Sequence, residues 1–548
     1  MTTRTRTDLV LLAGFCAFLF FYGLGQFGLV GADEPRYAQV AREMLERRDW
    51  ITPVLGGQPW LEKPPLYYWQ AMLVYSLYGV SDAAARVPSA LDATLLVLAV
   101  YAFLRRFRRG VELDGALITA SCAAVIGYAR AAATDMPLAS TFSIAMLAWW
   151  GWRESRKRAY LATFYLFLAL GALAKGPIAP FLAALIIALY AAGAGEFRLV
   201  AKTFWVPGVA LFFAISLPWY FAVQWRNSEF FHIFFLQHNL ERFSSNLYHH
   251  PEPFWYYLPV ILLALVPWVV FVAAALVELA RQWWVEKALA EKSSRAATDG
   301  RYERQFLHFL SLWLIVPVVF FSASQSKLPG YILPAVPAGA LLLADYLRRH
   351  LKREDDAKAA AWLVTFHALL ATSLLLPALF VGYIVTLHRL PSGLPLYGVL
   401  AMVFGVTAAI TLTVTRAGLR MLRFITLIPV VLAVAAVLKI GAPSLDQTLS
   451  ARPLSREIAG VETHSLPLAV FGVRREIEYG LEFYRNQTIV RYERDRVPAE
   501  EHLLVARENS QGEVAGQVAG RRMLLLGHYA PQHVDYYWVA AASASSQP

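Results

Sequence analysis

The sequence predicts a polytopic α-helical membrane protein of about 13 transmembrane helices, N-in/C-out, with interfacial helices and a C-terminal soluble α/β domain. Three observations predict it. Long apolar runs recur along most of the 548 residues, which are 57% hydrophobic with a mean hydropathy of +0.45. The connections between the runs alternate in charge. Arg105–Arg109, Arg153–Arg158, Arg198 with Lys202, Arg281–Arg304, Arg348–Arg353 and Arg416–Arg423 collect the basic residues, and the positive-inside rule makes those connections cytoplasmic. Beyond about residue 440 the apolar runs stop and charged residues become frequent.

Spans of about 20 apolar residues are expected at 8–30, 84–104, 114–133, 136–152, 160–174, 177–194, 205–225, 255–279, 307–323, 330–347, 360–386, 395–415 and 421–440. The first begins with Arg4 and Arg6, as a signal peptide would, but its apolar stretch is too long and no small-residue cleavage site comes cleanly after it. It reads as an uncleaved first helix. The outer loop 31–83 is too apolar for a disordered connection. Tyr37, Val40, Ala41 and Met44 share one helical stripe, with Pro35 in the first turn, where its missing N–H costs little. Leu66–Met72 is a second apolar helix too short to span, and both read as helices in the outer interface. A second outer loop covers 226–254 and a charged cytoplasmic linker 280–306, which completes a membrane domain of residues 1–440. In the soluble domain, 441–548, strands are expected at Leu468–Val473, Thr488–Tyr492, Leu503–Ala506, Met523–Leu526 and Tyr536–Ala541, with a helix at Arg474–Arg485. An odd number of spans from a cytoplasmic N-terminus puts this domain outside.

The net charge of +11 is spread over short loops rather than gathered on a soluble basic face, so it fits anionic headgroups and orientation better than nucleic acid. Cys16 and Cys122 both fall in predicted spans, which supports neither a disulfide framework nor a zinc finger. The sequence has no P-loop, no GxGxxG and no DxD motif, so no nucleotide is expected.

The remaining polar residues gather at the outer face, where a solute carrier would more often place them near the midplane. Asp33-Glu34 comes directly after the first span, held in place by Pro35 and the helix after it, and a fixed carboxylate there can act as a base or orient an acceptor. Glu62-Lys63-Pro64-Pro65 is either an interfacial ion pair or a rigid site for phosphate. Arg130, Lys175 and Lys327 are cations where the positive-inside rule makes them scarce, and each asks for an anionic partner. Several together suit a phosphate better than a neutral solute. His249-His250 is either a hydrated loop pair or, with Glu62 or Asp135, part of a divalent-metal site suited to zinc.

The Asp33-Glu34 pair, the EKPPLYYW segment from Glu62, the TDMP and AKGP turns at Thr134 and Ala174, and SKLPGYILP from Ser326 resemble the membrane glycosyltransferases of the GT-C type. Within them the chain is most similar to the 4-amino-4-deoxy-L-arabinose lipid A transferases, the ArnT group, relatives of the protein O-mannosyltransferases. The resemblance covers roughly 1–440. It implies transfer of the aminosugar, with inversion, from undecaprenyl phosphate to a lipid A phosphate at the periplasmic face of a bacterial inner membrane, and hence polymyxin resistance. It maps the catalytic acid onto Asp33 and the polyprenyl-phosphate contacts onto Arg36, Tyr37, Lys63, Lys327 and Tyr331, with Lys175 and Arg130 beside them. A bound metal would fall to Glu62 and His249 or His250. Two other readings stay open. One is a related transferase using another polyprenyl-phosphate sugar on a lipid, glycan or protein. The other is a lipid-linked sugar flippase, which needs access to both faces and is disfavoured by the one-sided polar set.

Overall fold

Among the described residues the apolar runs fold as helices. The computed structural model describes residues 3–241, 252–290, 298–350, 361–373, 422–518 and 520–542. Five helices there are long and apolar enough to cross a membrane: Asp82–Phe107, Val206–Arg226, Arg304–Ser322, Pro329–His350 and Leu422–Leu449. Two bent pairs bring the number to seven if each is one span. The chain is thus a multi-pass membrane protein. The expected span 395–415, the second half of 360–386 and the pair His249-His250 lie outside the described residues.

Three expected spans break off or bend. The first, expected at 8–30, runs as a helix over Thr3–Cys16 and a π-helical stretch over Ala17–Phe21, then leaves the helix at Tyr22, where ψ is 124°. The cause is a buried arginine, Arg86. Leu24, Phe27 and Gly28 give it their backbone carbonyls, so they do not continue the helix. The span expected at 114–133 breaks at Cys122 into Glu112–Ser121 and Ala123–Ala129, bent by 65°. The span expected at 255–279 breaks into Phe254–Ala264 and Val269–Gln282, bent by 114°. A broken helix in a membrane exposes backbone groups that water cannot satisfy. Here one break supplies the other: Ala123 N–H donates to Val266 O at 2.8 Å, and a side-chain bond from the Trp268 indole N–H to Ser121 Oγ at 2.9 Å holds the two breaks together.

The chain divides into two compact units. The first comprises Met1–Tyr22, Leu61–Tyr67 and Pro88–Val437, and holds most of the membrane helices. The second comprises Gly23–Trp60, Tyr68–Val87 and Leu438–Pro548. It therefore takes in two stretches of the 31–83 loop along with the C-terminal residues. Within it the helix Asp33–Arg47 buries Tyr37, Val40, Ala41 and Met44, the expected stripe. The second expected loop helix runs from Leu66 to Tyr78. A hairpin of β1 (Val54–Leu55) and β2 (Gln58–Pro59) lies between them in sequence, turning through Gly56 and Gly57 at φ +57° and +80°.

Five further strands form one sheet: β3 (Leu468–Phe471), β4 (Val490–Arg491), β5 (His502–Arg507), β6 (Met523–Tyr529) and β7 (Val534–Val539). Their order is β4-β3-β5-β7-β6, parallel across β4-β3-β5 and antiparallel from β5 to β7 to β6. Alternation sorts the side chains. Leu468, Val470, Leu503 and Val505 pack on one face with Leu454 and Ile458 of the Arg452–Val461 helix and Ile477 and Leu481 of the Arg475–Arg485 helix. Ala469, Leu504 and Ala506 pack on the other with Val514 and Val518. Both faces are covered, as in an α/β layer fold.

Candidate functional site

Asp33 is the first residue of its helix, where the dipole favours a carboxylate. It accepts a hydrogen bond from Arg36 Nη2 one turn on, and its side chain is 49% exposed. The Arg36 guanidinium lies 5.0 Å from the Tyr37 ring, 5.1 Å from Trp60 and 5.5 Å from Tyr479. Arg36 Nη2 also donates to the Tyr37 hydroxyl at 3.4 Å. The charge that steers Asp33 is thus itself fixed by aromatic faces, at the distances of cation–π contacts.

Glu34 has a different fate. It is buried and meets Arg86, whose side chain is 1% exposed, through a two-point contact of 2.6 and 3.1 Å. Arg86 also donates to Leu24 O at 2.7 Å, Phe27 O at 2.9 Å and Gly28 O at 2.8 Å. Glu34 accepts the Val30 N–H at 2.8 Å. The adjacent acids therefore separate: Glu34 ties the loop before the helix, and Asp33 keeps a carboxylate edge open to solvent. The same loop is fastened by Gly28 N–H to Asp446 at 2.7 Å and by Leu29 N–H to the Tyr484 hydroxyl at 2.7 Å. Tyr484 donates in turn to Asp82 at 2.6 Å, and burial pushes its pKa up, so it stays a donor.

The first unit holds the other predicted residues. Asp135 opens the Asp135–Ser155 helix and Lys175 closes the Arg158–Lys175 helix; they pair at 2.6 Å. Lys175 Nζ lies 5.0 Å from the centre of the Tyr331 ring. Gly330 is required beside them, because a Cβ there would stand 2.3 Å from Asp135 Oδ1 and 2.9 Å from the Tyr128 hydroxyl. Lys327 is buried and donates to Ser324 O at 2.6 Å and Glu252 O at 3.0 Å. Arg130 donates to Leu19 O at 3.0 Å. Glu62 and Lys63 sit half-buried in the turn before buried Pro64 and Pro65. The structure thus brings together Asp33, Arg36 and Tyr37 in one unit, and Asp135, Lys175 and Tyr331 in the other. Asp135 serves as the partner of Lys175.

Among the described residues no three His, Cys, Asp or Glu side chains gather as a metal site. Asp135 is engaged by Lys175, and the donor set expected for zinc includes the two histidines outside the described residues.

Sequence reading missed Arg86 and Asp82. Both stand near the start of the Asp82–Phe107 span, and Arg86 carried a readable signal, a cation inside an apolar run where one should be scarce. It also missed the Glu43–Glu482 neighbourhood. Glu43 accepts the Gly56 and Gly57 N–H groups at 2.8 and 3.0 Å. Burial, then Glu43 and Glu478, push the Glu482 carboxyl up to about 8.

A family model described as dolichyl-phosphate-mannose-protein mannosyltransferase matches residues 62–221. The chain is 31% identical over 359 residues to an undecaprenyl phosphate-alpha-4-amino-4-deoxy-L-arabinose arabinosyl transferase of Pseudomonas paraeruginosa, covering 64% of this chain and 62% of that one. It is 33% identical over 355 residues to a protein of the same description, numbered 1, from Pseudomonas fluorescens, covering 63% and 60%. The match thus spans less than two thirds of these relatives. The fold is that of ArnT from Cupriavidus metallidurans bound to undecaprenyl phosphate, with a TM-score of 0.75 at 22% identity over 98% of this chain and 99% of that one.

Proposed function

We propose that the protein transfers 4-amino-4-deoxy-L-arabinose from undecaprenyl phosphate to a lipid A phosphate, with inversion, at the periplasmic face of a bacterial inner membrane. The aminosugar cation masks an acidic headgroup, which confers polymyxin resistance. The two matched relatives are named for this aminosugar carried on this polyprenyl phosphate, and their similarity supports the reading. The observation that carries it is Asp33, a carboxylate held by Arg36 at a helix start and left half exposed. Residues 1–440 would form the transferase domain and 441–548 the periplasmic domain. Glu62 with His249 or His250 is the proposed holder of a divalent metal.

An ionised acceptor phosphate is already a nucleophile. One of its oxygens forms the new bond to the anomeric carbon as the bond to the donor phosphate breaks, and polyprenyl phosphate leaves with the electron pair. Lys63 and Lys327 stabilise the charge that grows on the leaving phosphate. Lys327 suits this, because its hydrogen bonds to two carbonyls leave a third N–H. Asp33 orients the acceptor or stabilises positive charge on the sugar, so its loss should cost about 10²–10³-fold in rate.

The test is mass spectrometry of lipid A from a transferase-deleted, aminoarabinose-making bacterium expressing the chain or Asp33→Asn. One added aminopentose with the native chain and a trace with the variant is expected. No addition from a membrane-inserted native chain, with donor present, would overturn the reading.

The mannosyltransferase description of the matching family model favours one second reading, another polyprenyl-phosphate sugar passed to a hydroxyl acceptor. Asp33 would then have to take the hydroxyl proton as base.

A further inference from the structure

A separate cavity lies in the first unit, distant in sequence from Asp33 and Lys63. It measures about 460 Å³ and is lined by Arg156, Glu196, Phe197, Arg198, Leu199 and Lys202, with Gly195. Its one lining carboxylate, Glu196, is already taken by Arg153 at 2.9 Å and receives Gln305 at 3.2 Å. Arg156, Arg198 and Lys202 have no carboxylate at ion-pair distance among the described residues. Arg156 is fixed in place, at φ +57° closing the Asp135–Ser155 helix, with its guanidinium 5.5 Å from the Trp152 ring. The positive-inside rule alone would place bare cations in this connection. It would not gather three of them on one cavity beside an apolar edge.

That edge is the second observation. Phe197 and Phe204 are 69% and 71% exposed, and so is Val206, the first residue of the Val206–Arg226 span. Only 22% of the apolar window of this span is buried, which leaves most of its surface for lipid to cover. In the short helix Phe197–Thr203, Leu199 and Thr203 are buried while Phe197, Arg198 and Lys202 are exposed. Three cations ask for an anion, and the aromatic edge at the start of a lipid-facing span asks for an acyl or glycerol neighbour. A molecule that supplies both is an anionic phospholipid.

We propose that this cavity is a binding site for the phosphate headgroup of an anionic phospholipid, held by Arg156, Arg198 and Lys202, with its acyl chains along Phe197, Phe204 and the start of the Val206–Arg226 helix. In the N-in orientation this is a lipid of the cytoplasmic leaflet. The site is separate from the transfer chemistry and does not depend on it.

The experiment uses the full chain purified in neutral detergent and studied by native mass spectrometry with phosphatidylglycerol or phosphatidylcholine added. The native chain should retain phosphatidylglycerol preferentially, and the triple variant Arg156→Gln, Arg198→Gln, Lys202→Gln should retain it roughly tenfold less at equal lipid, since each basic residue contributes to headgroup attraction. A control triple variant, Arg494→Gln, Arg507→Gln, Arg522→Gln, removes the same charge from the other unit and should retain as much as the native chain. Equal loss in both triples would overturn the site in favour of bulk charge. Equal retention by native and first-triple chains would overturn it outright. Inorganic pyrophosphate that displaces no lipid but binds the native chain alone would identify a soluble phosphate ligand and overturn the lipid assignment. Equal thermal midpoints of the two triples in phosphatidylcholine would show that folding is not the cause of a difference.

Discussion

Asp33 and Glu34 are the same chemistry one residue apart, and their surroundings give them opposite duties. Glu34 and Arg86 are both buried, and Arg86 carries three backbone carbonyls besides the carboxylate. Removing one partner of such a pair leaves a buried charge uncompensated, which costs about 3–5 kcal/mol. The contact of Arg36 with the half-exposed Asp33 is screened by water, and such pairs contribute about 0–1 kcal/mol. Arg86→Met should therefore lower the thermal stability of the purified protein markedly, while Asp33→Asn leaves its midpoint nearly unchanged and cuts transfer to a trace. Equal midpoints for the two variants would show that the Arg86 contacts do not hold the loop. Arg86→Lys should fall between them, because an ammonium offers three donors where the guanidinium offers five.

At the scale of elements, the Asp33–Arg47 helix packs on the Arg475–Arg485 helix, and their contact buries a carboxyl whose pKa is raised. Glu482 is buried near Glu43, and its pKa rises from the ordinary 4.5 to about 8, through burial first and then the neighbouring Glu43 and Glu478. Between those values the folded chain keeps a proton that the unfolded chain has lost. Stability from this group is complete below pH 4.5 and is lost as pH climbs toward about 8. The slope is at most about 1.4 kcal/mol per pH unit. His502 acts from the other side: burial lowers its pKa below 6.5, so its contribution is lost as pH falls. Chemical unfolding of the native chain and of Glu482→Gln across this range separates the two. The variant should lose the decline on the alkaline side and keep the acid one; an unchanged alkaline decline would remove Glu482 as its cause. Glu43, which receives the two glycine amides of the hairpin, would then feel a second full charge only at high pH.

At the scale of the molecule, the legible features were those with a strong period or a strong charge bias. The α/β strands came from short apolar runs at Leu468–Phe471 and His502–Arg507, and the stripe of Tyr37, Val40, Ala41 and Met44 is the buried face of its helix. The break at Cys122 was not legible, because Cys122 is apolar like its neighbours and the Ala123–Val266 and Trp268–Ser121 hydrogen bonds that join it to the second break are long-range contacts. The Gly56-Gly57 hairpin was readable in principle but is hidden inside an apolar loop. At the site, Asp33 and Lys175 stood out as charges in odd places, whereas the partner of Glu34 lies 52 residues away and no local pattern names it. The charge bias also predicts which side each part faces, and this is testable over the whole chain. Cys16 and Cys122 are the only cysteines and both are buried, so a cysteine-free background is within reach. In it, Glu513→Cys reports on the exposed surface of the α/β domain and Lys157→Cys on a basic connection. A membrane-impermeant maleimide should label Glu513→Cys in intact spheroplasts and Lys157→Cys only after lysis. The reverse pattern would turn the protein over, place Asp33 and the α/β domain in the cytoplasm, and remove lipid A of the outer leaflet as the acceptor.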